Sequence, residues 1–268
     1  VRLGSASLAA GDLFGSSLTN MAILAIITLV FSAPDPDRGQ GSQSAYSARL
    51  AILLTLMGTW FTRIHVGAGW MHLRPESLLI VAVWLAGTRI MYRREHAIST
   101  GDLATVPATP KRGWPLGRSI VVFALGSAMI FLVAPWFANF AQEFAARSGL
   151  GDSFVGIWLL GLSTALPELV TSLTACRLGD FDLAVANLYG SCAFNMVVFF
   201  AMDLASPVSV FSRLDPVLTV SGSLAVLLML LGLAAISYRR RVYVLRDLGG
   251  GILLASYGAA IWAVYALR

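Results

Sequence analysis

The stretch GLSTALPELVTSLTA, residues 161–175, sets a proline beside a carboxylate, Pro167-Glu168, inside a long apolar run. Proline lacks an N–H, and its ring presses on the carbonyl four residues back, here that of Ser163. A helix should kink or break there and leave that oxygen without its usual partner. In lipid this is tolerated only where a cavity or a bound cation satisfies the oxygen. An ionisable side chain at mid-membrane costs at least roughly 2.5–3.5 kcal/mol on insertion scales, so Glu168 reads as a functional residue. Thr164 lies four residues before Glu168, on the same helical face. Carboxylate, hydroxyl and freed carbonyls are hard oxygen ligands, suited to Ca²⁺ or Na⁺ rather than to a transition metal.

A second polar set follows. Asn187, Ser191 and Asn195 fall at i, i+4 and i+8, which holds all three on one face of a helix. Asp12, Ser16 and Asn20 repeat that spacing near the start of the chain. Gly15 and Gly190 precede the two serines, and small residues let a neighbouring backbone approach closely. Ser16 or Ser191 alone would read equally well as helix–helix glue. The duplicated stripe beside a Pro-Glu break reads as a cation site. Its members are Glu168, Thr164, Ser191, Asn195, Asn20 and Ser16, with Ser163, Asn187 and Asp12 as weaker members.

The remaining polar residues read more plainly. His65 and His72 flank a short loop at an interface. Asp203 sits near a helix end. Asp152 reads as an N-terminal cap. Cys176 and Cys192 lack metal-ligand spacing and read as small packing residues. The tryptophans, among them Trp114, Trp136 and Trp262, lie near span ends as an interfacial belt.

These residues are carried by a chain of 268 residues, 57% hydrophobic and only 12% charged. Soluble domains carry about 25% charged residues. Apolar blocks of membrane-spanning length give eight candidate helices: 8–31, 49–65, 75–92, 117–139, 153–176, 182–204, 215–237 and 249–267. The chain is an all-α integral membrane protein. Its net charge of +5 therefore belongs to the distribution of basic residues across a bilayer and points to no nucleic acid. With sides numbered alternately, twelve Arg and Lys fall on the side of the linker 93–116 and six on the other, Arg89 being left inside a helix. The linker side is then cytoplasmic and the C-terminus outside.

Self-similarity sharpens this. RLGSASLAAGDLFGSSLTNM (2–21) aligns without a gap to RLGDFDLAVANLYGSCAFNM (177–196), an offset of 175 with ten of twenty positions identical, including Gly15/Gly190, Ser16/Ser191 and Asn20/Asn195. The repeated helices are the first and sixth spans. They enter from opposite sides, as in the inverted-topology repeats of secondary transporters. The counterpart of Glu168 falls before Val1, so the expectation is a five-plus-five protein with about eight of ten helices present. Residues 1–92 would be the remainder of the first repeat, 93–116 a cytoplasmic linker, and 117–268 the second repeat.

The segment STALPELVTSLTACRLGDFDLAVANLYGSCAFNM resembles the second α-repeat of the cation/calcium exchanger superfamily, and RLGSASLAAGDLFGSSLTNM resembles the latter half of its first. The resemblance implies ten helices in two inverted halves. It makes Glu168 the central ion-binding carboxylate, with Thr164 and Ser191 coordinating, Asn20 and Asn195 central, and Ser16 mirroring Ser191. Three departures stand out. Thr164-Ala165 replaces Thr-Ser before Leu-Pro-Glu, Asn195 stands where several sodium-coupled members have Asp, and Asp12 replaces an Asn. The short linker leaves no room for the calcium-sensing domains of some animal members. The implied function is secondary antiport of Ca²⁺ against Na⁺ or H⁺ by alternating access, in a bacterial-type inner membrane. The alternatives are a proton-coupled or other-cation exchanger, or a transport-inactive fragment. No cofactor is expected beyond the transported cations. No HExxH, Gly-x-Gly-Asp or serine-nucleophile motif argues for an intramembrane enzyme.

Overall fold

The computed structural model describes residues 6–31, 41–64, 74–101, 115–206, 209–239 and 246–268. The repeat's opening Arg2, Leu3 and Gly4, His65 and His72, Trp114 and the core of the linker (102–114) lie outside the described residues.

Eight long helical units carry the described chain: α1 (Ala6–Val30), α2 (Gly41–Phe61), α3 (Pro75–Gly101), α4 (Leu116–Ser148), α5 (Asp152–Arg177), α6 (Phe181–Leu204), α7 (Pro216–Arg239) and α8 (Arg246–Ala266). They follow the eight apolar blocks of the sequence. Six of them, all but α2 and α3, are by themselves long and apolar enough to cross a membrane. Polar residues at the start of α2 and the arginines Arg89, Arg93 and Arg94 of α3 dilute those two. Both nonetheless pack on α6. The protein is an all-α integral membrane protein.

The core forms around α1, which is mostly buried and touches α5, α6, α7 and α8. Phe14, Leu18, Met21 and Leu24 of α1 meet Leu188, Tyr189, Cys192 and Phe199 of α6 in one buried cluster. Phe14 and Phe199 rings approach to 5.6 Å. The α4 helix is the opposite case: only Ala141 and Ala145 near its end are buried, against α5, and its long apolar flank faces outward. Trp136 and Trp262 likewise face outward.

Contacts fix the directions of the central helices. Asn20 of α1 meets Cys192 of α6, whereas Ser16 and Ser17, earlier on α1, meet Asn195, later on α6. Partner numbers fall on one helix as they rise on the other, so the two repeat mates run antiparallel, as an inverted repeat requires. On its other face α1 runs parallel to the first half of α5. Gly11 sits over Gly156 and Gly15 over Ile157 and Gly161, so close that a Cβ on Gly15 would overlap the Ile157 carbonyl. The expectation of close approach thus holds at Gly15. At Gly190 nothing described lies within 4 Å of an added Cβ, so no such approach is seen among the described residues. The same Gly-Ser pair is used in both repeats, but only the α1 copy has a described backbone across from it.

One helix start differs from expectation. Gly151, not Asp152, is the N-cap of α5, and Asp152 makes no capping hydrogen bond. It sits inside the first turn, where a negative charge still favours the helix dipole. The cap that forms is Asp180, whose carboxylate accepts the Leu183 N–H at 2.9 Å and starts α6. Asp203 lies at the last turn of α6, fully buried, and accepts the Val210 N–H at 2.7 Å.

Candidate functional site

The irregular course of α5 builds the site. The helix is α-helical over Asp152–Val155, widens to a π-helical turn over Gly156–Leu160, returns over Gly161–Thr164, and resumes over Leu166–Arg177. The break falls at Ala165 (φ −86°, ψ −4°), two residues before Pro167. Proline constrains the backbone before it, and its missing N–H is harmless in the first turn of a helix, where Pro167 now sits. The Ser163 carbonyl is not left free, as it accepts the Ala165 N–H. The Ser163 hydroxyl turns back 2.8 Å onto Leu159 O, so Ser163 stays on its own helix.

The break puts Glu168 in the first turn of the resumed helix, where unpaired N–H groups favour a negative charge. Its two oxygens differ. Oε1 accepts the Ser191 hydroxyl from α6 at 2.7 Å. Oε2 is buried and has no hydrogen-bond partner among the described residues. A buried carboxylate oxygen with neither donor nor counter-charge is costly, and it is the feature a cation would relieve.

Thr164, just before the break, joins the two repeats. Its hydroxyl lies 2.7 Å from Asp12 Oδ1 on α1 and 2.9 Å from the Leu160 carbonyl. Having one proton, it serves one acceptor at a time. Thr164 lies one turn before Glu168 on α5, so this contact brings a second carboxylate, Asp12, to the same part of the site. Asp12, a weaker member in the sequence reading, is thus brought to the centre.

The stripes of α1 and α6 close the cluster. Asn195 Nδ2 donates to Ser16 Oγ at 2.8 Å and also faces Ser17 Oγ (3.3 Å) and Leu13 O (3.4 Å). Asn20, fully buried, donates to Cys192 Sγ at 3.6 Å and keeps Oδ1 unpartnered. Asn187 stands one turn away and donates to Thr171 Oγ1 (3.0 Å) and Ser172 Oγ (3.2 Å). Glu168, Thr164, Ser191, Asn195, Asn20, Ser16 and Asp12 therefore share one region, while Ser163 and Asn187 are turned aside.

Sequence reasoning passed over Ser17 and gave Cys192 only a packing role. Both are buried in the middle of the cluster. The signal was available, since the repeat offset pairs Ser17 with Cys192 as it pairs Asn20 with Asn195. Among the described residues no three His, Cys, Asp or Glu side chains converge as a metal cage would require. Carboxylate, hydroxyl, amide and carbonyl oxygens are hard donors, of the type that Ca²⁺ takes in flexible geometry.

Residues 118–266, more than half of the chain and all of the helices from α5 to α8, match the family described as Sodium/calcium exchanger protein. "Putative antiporter CaxA" of Alkalimonas amylolytica is 26% identical over 245 residues, which cover 89% of this chain and 74% of that protein. Inner membrane protein YrbG of Escherichia coli is 28% identical over 148 residues, 55% of this chain and 41% of that one. Sodium/calcium exchanger 2 of Homo sapiens is 29% identical over 180 residues, 61% of this chain and 19% of that one. The chain thus spans less than half the length of the last two. No solved structure matches it significantly.

Proposed function

The chain belongs to the sodium/calcium exchanger protein family, and on that premise we propose that it is a secondary active cation antiporter exchanging Ca²⁺ for Na⁺ or H⁺. The observation that carries the reading is Glu168 at the break of α5, one oxygen held by Ser191 and the other buried without a partner. Ca²⁺ takes carboxylate, carbonyl and hydroxyl oxygens in flexible geometry, and Glu168, Thr164, Ser191, Asn195, Asn20 and Ser16 offer these from both repeats, with Asp12 beside them. Transport follows from the architecture of inverted repeats. One group of helices rocks or slides past the cation cluster, opening it to each side in turn. Residues 1–92 are the remainder of the first repeat and 117–268 the second, joined by a cytoplasmic linker, in an inner membrane with the C-terminus outside. The relative named an inner membrane protein and the twofold excess of basic residues on the linker side support that placement.

Proton coupling is the second reading. Asp12, held by Thr164, and Glu168, held by Ser191, put two carboxylates in one cluster, and a carboxylate that exchanges a proton for a cation would couple transport to H⁺.

The test is flux in vesicles containing the purified protein. Ca²⁺ uptake is driven by a Na⁺ gradient and, separately, by a pH gradient. Uptake under one of them, lost in Glu168→Gln, is the expected result. Absence of gradient-driven flux of any cation sinks the antiporter, and undiminished flux in Glu168→Gln sinks the site.

A further inference from the structure

The contacts between α5 and α6 form a ladder with a fixed direction. Glu168 meets Ser191, Thr171 meets Asn187, and Ser172 meets Ala184, so partner numbers fall on α6 as they rise on α5. The rung next to Glu168, toward the Arg177 end of α5, is therefore Thr171 with Asn187. Asn187 Nδ2 donates to Thr171 Oγ1 at 3.0 Å and to Ser172 Oγ at 3.2 Å. With the nitrogen anchored on two hydroxyls, the oxygen at the other end of the amide is turned away from them. The Thr171 proton goes to Pro167 O (3.0 Å) or Glu168 O (3.1 Å), and one lone pair of the hydroxyl remains after the Asn187 bond.

The repeat offset of 175 makes Asp12 the counterpart of Asn187, each four residues before its serine, Ser16 or Ser191. Asp12 also meets a threonine of α5, but Thr164, on the other side of Glu168 along the helix. Glu168 is thus flanked by two repeat-related polar pairs, Thr164 with Asp12 and Thr171 with Asn187. The first pair carries a carboxylate and the second a neutral amide.

We infer that Asn187 Oδ1 and Thr171 Oγ1 form a transfer subsite for a hard cation between Glu168 and the linker side of the membrane, and that the neutral Asn187 keeps the apparent affinity on that side below that on the side of Asp12. This rests on the antiporter reading and on its placement of the linker, the side on which Arg177 falls. Amide and hydroxyl oxygens are ligands for Ca²⁺ but bring no charge, and the charge count of the ligands tunes its affinity. A cation leaving Glu168 toward the linker side is therefore held weakly, whereas one leaving the other way passes a second carboxylate.

The test measures the KM for Ca²⁺ on each face separately, in right-side-out and inverted membrane vesicles holding the protein. Asn187→Ala is expected to raise the linker-face KM by about ten- to a hundredfold, the scale on which a metal site loses a supporting group, with a much smaller shift on the opposite face. Thr171→Val is expected to do the same. Asn187→Asp adds the missing charge and is expected to lower the linker-face KM by about tenfold. Asp12→Asn is expected to act mainly on the opposite face. Equal shifts on both faces in Asn187→Ala, or a larger shift on the opposite face, overturn the inference while flux persists. Should Asn187→Ala fail to fold, a linker-face KM that does not fall in Asn187→Asp overturns it. Absence of gradient-driven flux in the wild type sinks the antiporter reading, and the inference with it.

Discussion

The hydroxyl of Ser191 donates to Glu168 Oε1 at 2.7 Å, joining α6 to the resumed half of α5 and leaving Oε2 without a partner. The bond holds the carboxylate in one orientation, so that the free oxygen stays turned into the buried cluster. In Ser191→Ala the carboxylate loses a charge-assisted hydrogen bond worth about 1.5–3 kcal/mol and, with it, its fixed orientation. The KM for Ca²⁺ in vesicle flux should rise by about ten- to a hundredfold, as when a supporting contact to a metal ligand is removed. An unchanged KM at equal protein content would mean that Ser191 neither ligates nor orients.

The link between Thr164 and Asp12 spans the two repeats at 2.7 Å. Thr164→Val keeps the shape and removes the hydroxyl, and Asp12→Asn keeps the shape and removes the charge. Combined in a double-mutant cycle on thermal stability, the two should show a coupling of about 0.5–3 kcal/mol. Additive effects would show that the two side chains do not interact. Asp12→Asn also tests the proton reading, because it removes one of the two carboxylates: pH-driven uptake should drop more than Na⁺-driven uptake.

Gly15 and Gly190 occupy equivalent repeat positions in unequal surroundings. A methyl group on Gly15 would run into the Ile157 main chain, and α1 would have to move off α5. Gly15→Ala should therefore cost about 1–3 kcal/mol, the usual scale of overpacking. Gly190→Ala meets nothing within 4 Å among the described residues and replaces a poor helix former with a good one, a gain of up to about 1 kcal/mol. Thermal unfolding midpoints in detergent should move in opposite directions. A matching loss at Gly190 would require a backbone packed against it.

How much of this could be read from the sequence depended on whether a residue stood out against its background. Glu168 and the Asn-Ser-Asn stripe were legible because polar groups are rare in an apolar run, and the repeat was legible because Gly, Ser and Asn matched at one offset. The site of the break was displaced from Pro167 to Ala165, since proline's missing N–H and its ring disturb the turn before it, while proline itself fits the first turn of the helix that follows. The π-helical turn at Gly156–Leu160 has no compositional mark and was not foreseen. Gly190 could not be told from Gly15 in the sequence, because a small residue signals only permission for close packing, and the neighbour that would use it is a matter of tertiary structure. Cys192 packs in the buried core as a small residue should, and only its contact with Asn20 needed the structure to be seen.

The Asp180 cap is a local feature with a local test. Its side chain accepts the Leu183 N–H at 2.9 Å, and Asp180→Ala should destabilise α6 by about 0.5–2 kcal/mol, whereas Asp180→Ser should recover most of the loss. Thermal midpoints check both. No recovery with serine would point to charge rather than capping.

Asn195 offers the sharpest test of the shared site. Its amide N–H groups face Ser16 Oγ, Ser17 Oγ and the Leu13 carbonyl. In Asn195→Asp no N–H remains. The two serine hydroxyls, which now turn to Leu13 O, must rotate to donate to the new carboxylate, and the Leu13 carbonyl is left facing a negative charge. Without cations the variant should be less stable than wild type, since a third carboxylate joins Glu168 and Asp12. With cations the order should reverse, because added ligand charge tightens binding of a hard cation: about tenfold in Ca²⁺ affinity, or ~1.4 kcal/mol. The measurement is the thermal midpoint with and without Ca²⁺, and again with Na⁺. A cation-dependent shift larger than that of the wild type places residue 195 on the ion, and its dependence on Na⁺ reports whether the extra charge brings sodium into the exchange. A shift equal to the wild type's would remove Asn195 from the site.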